Sequence, residues 1–101
     1  MNYRLYKDHY NNWIAETTVM LNNTIQLEVT TKKNNRGTLT SNASCGHKDG
    51  AFISHTMFED FYETVVASSP KRVTEKAVKE QHEKLDISAI IMQAKTFYKL
   101  S

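Results

Sequence analysis

Polar and apolar residues alternate along the first half of the chain, and this alternation predicts strands. The segments 13–21 (WIAETTVML) and 24–31 (TIQLEVTT) are rich in β-branched residues and flank the turn pair Asn22–Asn23, which is typical of a hairpin. A two-residue loop would pair apolar with polar positions, whereas a three-residue loop sets Val19 opposite Leu27. We therefore expect the three-residue loop, with an Asn in the left-handed conformation. The resulting apolar face carries Trp13, Ala15, Val19, Leu21, Ile25, Leu27 and Val29.

Two further strands are predicted before residue 56. A polar cluster at 32–37 (KKNNRG) reads as a hairpin tip, and 38–45 (TLTSNASC) follows it as a strand of small hydroxylated residues. A turn at 46–50 then leads to a short strand at 51–55 (AFISH). Sequential strands with short loops indicate an antiparallel meander of four strands over about residues 13–55.

The opening segment, up to Trp13, allows two interpretations. As a helix, they place four aromatic residues on one side; these are Tyr3, Tyr6, Tyr10 and Trp13. Asn11–Asn12 is a poor helix interior, however, and Trp13 already fits the strand pattern. The alternative is a short strand that pairs with the sheet edge.

From Thr56 onward the apolar spacing changes to the helical period. The segment TMFE forms a capping box, and three helices are predicted at about 57–67, 70–84 and 87–99. Ser69 caps the second helix, with Pro70 at its first position, and Asp86 or Ser88 caps the third. Strands followed by helices, and not alternating with them, predict an α+β fold with the helices on one face of the sheet.

Length and composition predict a single globular domain over residues 1–101. The chain is 40% hydrophobic and 24% charged, with a net charge of +2. Its single cysteine, Cys45, allows no internal disulfide, and no apolar run approaches the roughly 20 residues of a membrane span. The first residues also lack the pattern of a secretory signal. We therefore expect a cytoplasmic protein without membrane contact.

The segment SCGHKDG holds the candidate catalytic residues. Cys45, His47 and Asp49 could act as thiol, base and orienting group, and Cys45, His47 and His55 are the available zinc ligands. Neither set has the spacing of a known motif, and the chain lacks a glycine-rich phosphate loop. We expect no enzyme activity, no cofactor and no metal; a cysteine-dependent enzyme is the remote alternative.

Basic residues form two candidate patches. The first crowds the 32–37 tip, and the second lies along the second predicted helix and resembles the reading end of a helix-turn-helix. Glutamates interleave with the second patch, so an ordinary solvated helix is the competing interpretation. The candidate nucleic-acid contacts of this helix are Lys71, Arg72, Lys76 and Lys79.

With no catalytic motif, the sequence favours a small regulator or inhibitor that binds another protein. Its motif-poor, Asn- and Lys-rich character suits a phage or mobile-element protein that acts on host nucleic-acid machinery. The expected partner-binding residues are Tyr3, Tyr6, Tyr10, Lys32, Lys33 and Arg36. The alternative is direct nucleic-acid binding through the two basic patches, for which a pI of 8.7 is permissive. A homodimer is compatible with either.

Overall fold

The computed structural model describes residues 1–47 and 61–100. Within them the elements are β1 (Asn2–Lys7), β2 (Trp13–Met20), β3 (Ile25–Lys33), β4 (Leu39–His47), β5 (Tyr62–Ser68), α1 (Glu75–Glu83) and α2 (Ile87–Phe97). The strands form one antiparallel sheet in the order β1-β2-β3-β4-β5. The α+β class and the antiparallel meander are confirmed, but the described residues hold five strands and two helices instead of four and three.

The opening segment is a strand at one edge of the sheet. Leu5 faces Ala15 of β2, and Tyr3 faces Thr17. A tight turn at 8–12, with Asn11 at φ 66°, leads into β2. The interpretation as an edge strand is therefore confirmed, and the helical one is wrong.

The β2–β3 hairpin has the predicted register and face. Val19 faces Leu27, and the amide of Leu21 donates to the carbonyl of Ile25 at 2.8 Å, which closes a three-residue loop. The expected left-handed Asn is wrong, because neither loop Asn has a positive φ. Instead, the side-chain oxygen of Asn22 accepts from the amide of Ile25 at 2.8 Å and holds the turn.

The helix predicted at 57–67 is wrong over its described part, since Tyr62–Ser68 forms strand β5. The segment carries three consecutive β-branched residues, Thr64, Val65 and Val66, which favour a strand. Pairing with the open edge of β4 decides between helix and strand, with Ser41 facing Val66. The predicted strand 51–55 and the capping box at Thr56 lie outside the described residues.

Both helices begin and end at identifiable caps. The prediction of 70–84 starts too early: Thr74 is extended and its hydroxyl accepts from the Ala77 amide at 3.1 Å, so it caps α1 in place of Ser69. Residues 69–74 connect β5 to α1. Asp86 caps α2 as predicted, and the left-handed Lys99 (φ 57°) ends it two residues earlier than expected.

The core lies between one face of the sheet and the two helices. Leu21, Leu27, Val29, Ala43, Phe61, Ile90 and Ala94 form one buried cluster, and Ala15, Leu39 and Val78 form another. Since α1 and α2 both pack on this face, the prediction of helices on one side is confirmed for the two described helices. No described element packs on the other face, which we call the uncovered face. Neither described helix is long and apolar enough to cross a bilayer.

Candidate functional site

Three connections meet at one end of the sheet, because the strands are antiparallel and sequential. They are the loops after β1 (8–12), after β3 (34–38) and after β5 (69–74). The residues of these loops and of the adjoining strand ends include six basic side chains. We call these six the basic end; they are Lys7, Lys32, Lys33, Arg36, Lys71 and Arg72.

The hairpin tip of the basic end is held by its own side chains. Oδ1 of Asn34 accepts from the amides of Arg36 and Thr38, each at 2.9 Å. Gly37 adopts a φ of 82°, which is unfavourable for residues that have a side chain. The amide of Gly37 donates to the carbonyl of Asn34 at 3.1 Å. The Asn and Gly of the sequence therefore present Arg36 on an ordered turn.

The segments of the basic end hold few acidic residues, although Lys32 lines a pocket on the sheet face together with Glu16 and Glu28. Asp8 is the one acidic residue within 7–13, 32–39 and 68–74, and its carboxylate accepts from the amides of Tyr10 and Asn12 at 2.8 and 3.0 Å. Among residues 1–47 and 61–100, the ion pairs are Arg4–Glu16 and Lys76–Glu80, so none of the six basic side chains is paired there. The hairpin tip and residues 71–72 are separate patches in the sequence, and the sheet topology places both at the same end.

The other basic candidates are not part of this cluster. Lys76 lies 3.9 Å from Glu80 one turn along α1, which is an ordinary surface pair. Lys79 is exposed on the same helix. Both follow the loop that carries Lys71 and Arg72, in a helix whose first residue, Glu75, is acidic.

The N-terminal tyrosines are distributed over three different places. Strand alternation puts Tyr3 on the helix side, with its ring 5.7 Å from that of His82. Tyr6 is on the uncovered face, where its hydroxyl donates to Glu16 at 3.3 Å and Arg4 lies 4.6 Å from the ring centre. Burial raises the pKa of Tyr6. Tyr10 alone lies at the basic end, in the loop after β1, and it is 74% exposed.

Trp13 also lies at this end, but it is mainly a packing residue. Its side chain is partly buried against the cluster of Ala15, Leu39 and Val78, and Nζ of Lys7 lies 5.1 Å from its ring centre. The expectation that Trp13 belongs to the apolar face is therefore confirmed. Its position makes it a natural fluorescence reporter for events at the basic end.

The surroundings of Cys45 disfavour a thiolate. Burial among the residues around Leu27 raises the pKa of the thiol to about 12, although a hydrogen bond with Tyr98 acts in the opposite direction. A reactive cysteine needs a lowered pKa. Asp49, His55 and the side chain of His47 lie outside the described part of the chain. In that part, no three His, Cys, Asp or Glu residues form a group suited to a metal ion.

Helix α1 and the sheet share a buried network of polar side chains that was not predicted from the sequence. Nε2 of His82 lies 2.7 Å from the hydroxyl of Thr17, and Nδ1 lies 2.8 Å from that of Thr31. The Thr31 hydroxyl also lies 2.7 Å from that of Ser41, which accepts from Nε2 of Gln81 at 3.0 Å. Burial lowers the pKa of His82. The available signal was the row of hydroxyl residues at inward strand positions.

Comparison with known proteins gives no relative: no family model, curated protein or solved structure matches the chain.

Proposed function

We propose that this protein binds nucleic acid through the basic end. The observation that carries the proposal is the convergence of three loops at one end of the sheet, because these loops and the adjoining strand ends hold six basic side chains and a single acidic one, Asp8. A basic surface of this kind suits the regularly spaced phosphate groups of nucleic acid. Contacts to phosphate groups give affinity without sequence preference. Binding is the proposed activity, and the raised pKa of Cys45 opposes nucleophilic chemistry at that thiol.

A single strand is the proposed form of the nucleic acid. Tyr10 is exposed beside the basic residues, and its ring lies 4.1 Å from that of His9, centre to centre. Unpaired bases can stack on such rings while the basic side chains follow the backbone, whereas the bases of a duplex are already stacked. We place this activity in the cytoplasm, as the sequence suggests.

The test is a titration of a labelled single-stranded oligonucleotide, followed by anisotropy, at about 50 and 200 mM salt. With six phosphate contacts, the slope of log affinity against log salt should approach about −4, since each contact on a single strand contributes about −0.7. A DNA, an RNA and a duplex of equal length should be compared. If none of them binds at the lower salt concentration, the proposal is wrong.

The regulator or inhibitor that binds a protein is the second proposal, and the β1 edge supports it. Tyr3 is 49% exposed on this edge strand, and Arg4 and Tyr6 lie on its other face. Tyrosine and arginine are enriched at protein interfaces. A partner captured from host lysate, retained at high salt and lost with a folded Tyr3→Ala variant, would support this proposal. If no partner is captured at either low or high salt, this second proposal is contradicted.

A further inference from the structure

The last row of the sheet at the basic end places one lysine on each side of Trp13. Lys7 faces Trp13 in the pairing of β1 with β2. Continued by two residues, the register that sets Ala15 against Thr31 places Lys33 on the other side of Trp13. The two lysines are therefore two strands apart, with their backbones separated by about 9–10 Å.

Strand alternation puts both lysines on the helix side of the sheet. Leu5 packs against the second buried cluster, to which α1 contributes, and Lys7 follows it by two residues. The hydroxyl of Thr31 is hydrogen-bonded to α1, and Lys33 follows Thr31 by two residues. Both lysines are exposed, and they lie at the end of the sheet opposite to the connection between β4 and β5.

Lys32 is adjacent to Lys33 in β3 but lies on the opposite face. It lines a pocket of the uncovered face together with Glu16 and Glu28. The two neighbouring lysines therefore have different surroundings. Lys32 lies on the face that carries these two carboxylates, whereas Lys7 and Lys33 lie on either side of an aromatic ring.

The connection from β5 to α1 brings two more basic residues to the helix side. Val73 packs against the same buried cluster as Trp13, and the exposed Lys71 and Arg72 directly precede it. Glu75 is the first residue of α1, and it forms no ion pair within residues 1–47 and 61–100. The positive charge on this side of the basic end is therefore available to a ligand.

We propose that the nucleic-acid strand crosses the end of the sheet on the helix side, with phosphate groups held by Lys7 and Lys33 on either side of Trp13. The inference rests on the proposed binding of nucleic acid at the basic end, and it assigns the face on which the strand lies. A lysine is a point charge on a flexible stem, so the two ammonium groups can follow the phosphates of a single strand. Lys32 contributes less, because it faces away from this path.

The experiment compares Lys33→Ala with Lys32→Ala, which removes the same charge one residue away on the opposite face. Binding of a labelled single-stranded oligonucleotide is followed by anisotropy at about 50 and 200 mM salt. Urea unfolding of both variants checks that they are folded. Trp13 is the only tryptophan of the chain, so its fluorescence in the wild-type protein reports on this surface without relying on a variant.

We expect Lys33→Ala to weaken binding by at least about threefold at the lower salt concentration, and to make the salt slope shallower by about 0.7, because one phosphate contact is lost. Lys32→Ala should change the slope by less than about 0.3, since its charge contributes only to the general field. The fluorescence of Trp13 should change at the same oligonucleotide concentrations as the anisotropy.

Two results would overturn this inference and leave nucleic-acid binding at the basic end in place. One is an effect of Lys32→Ala equal to or larger than that of Lys33→Ala. The other is an unchanged Trp13 fluorescence when the oligonucleotide is bound. If the wild-type protein binds no oligonucleotide at the lower salt concentration, the proposed function and this inference are both wrong.

Discussion

Thr31 and His82 lie 51 residues apart in the sequence, and in the fold the Thr31 hydroxyl is 2.8 Å from Nδ1 of the buried His82 ring. The other ring nitrogen is 2.7 Å from Thr17. The ring thus bridges β2 and β3 beneath α1 with both nitrogens occupied. Each hydroxyl can donate or accept, so a neutral imidazole satisfies both contacts.

Acidification should destabilise the protein through His82. Burial lowers the folded-state pKa of this residue, whereas an unfolded histidine titrates near about 6.5. Below that pH the unfolded state therefore binds more protons than the folded state. The free energy of unfolding should be unaffected by His82 above about pH 6.5 and should fall as the pH drops from there towards the folded-state pKa.

Urea unfolding at about pH 7.5 and 5.5 measures this effect, with His82→Gln as the matched variant. Gln keeps a donor and an acceptor but does not titrate, so the variant should lose less stability on acidification than the wild type. At the higher pH it should be less stable by about 1–3 kcal/mol, since one buried contact is lost. If wild type and His82→Gln lose the same stability on acidification, His82 does not cause the pH dependence.

Truncation in the core should be costly at two positions. Leu27 has no exposed surface, and Phe61 is buried with its ring 5.5 Å from that of Phe97. Leu27→Ala or Phe61→Ala should lower the free energy of unfolding by about 2–5 kcal/mol, because each leaves a cavity. Lys33→Ala, at an exposed position, should change it by less than about 0.5 kcal/mol. Costs below about 1 kcal/mol for both truncations would refute this packing.

Loss of the α1 cap should also destabilise the fold. The Thr74 hydroxyl accepts from the Ala77 amide, so Thr74→Ala should cost about 1 kcal/mol in urea unfolding. Ser69→Ala is the informative control, because the sequence alone predicts Ser69 as this cap. A larger loss for Ser69→Ala than for Thr74→Ala would show that the helix begins earlier.

Cys45 should react slowly in the folded protein. With burial raising its pKa to about 12, the thiolate fraction near neutral pH is far below that of a free thiol of pKa about 8.5. Alkylation followed by intact mass should be slower than in urea-unfolded protein by about a hundredfold or more. Rapid alkylation that persists below pH 8.5 would instead indicate an activated nucleophile.

Removing single positive charges should identify the basic end as the surface that binds nucleic acid. Arg36→Ala and Arg72→Ala should each weaken single-stranded binding and make the salt slope shallower by about 0.7, which is the contribution of one phosphate contact. Lys95→Ala removes the same charge from α2, which packs against the cluster around Leu27, and should leave the slope unchanged. Equal losses in all three variants would mean that net charge, and not this surface, governs binding.

The local pattern of apolar and polar residues was sufficient to predict the β2–β3 hairpin but not to predict strand β5. The alternation of 13–31 has a single solution that buries its apolar residues, so the register of Val19 against Leu27 followed from the sequence. The segment 62–68 carries β-branched residues that also match a helical stripe. Which period it adopts depends on the free edge of β4, a partner about twenty residues away.

The sequence by itself determined the α+β class, the strands from 13 to 45 and the chemistry of the available side chains, because side-chain period and turn residues act over a few neighbours. Only the tertiary structure decided that β1 and β5 complete the sheet, that His82 joins Thr17 and Thr31, and that three basic loops share one end. Those relationships arise from backbone pairing and helix docking between distant segments, and no local pattern encodes which distant groups will meet.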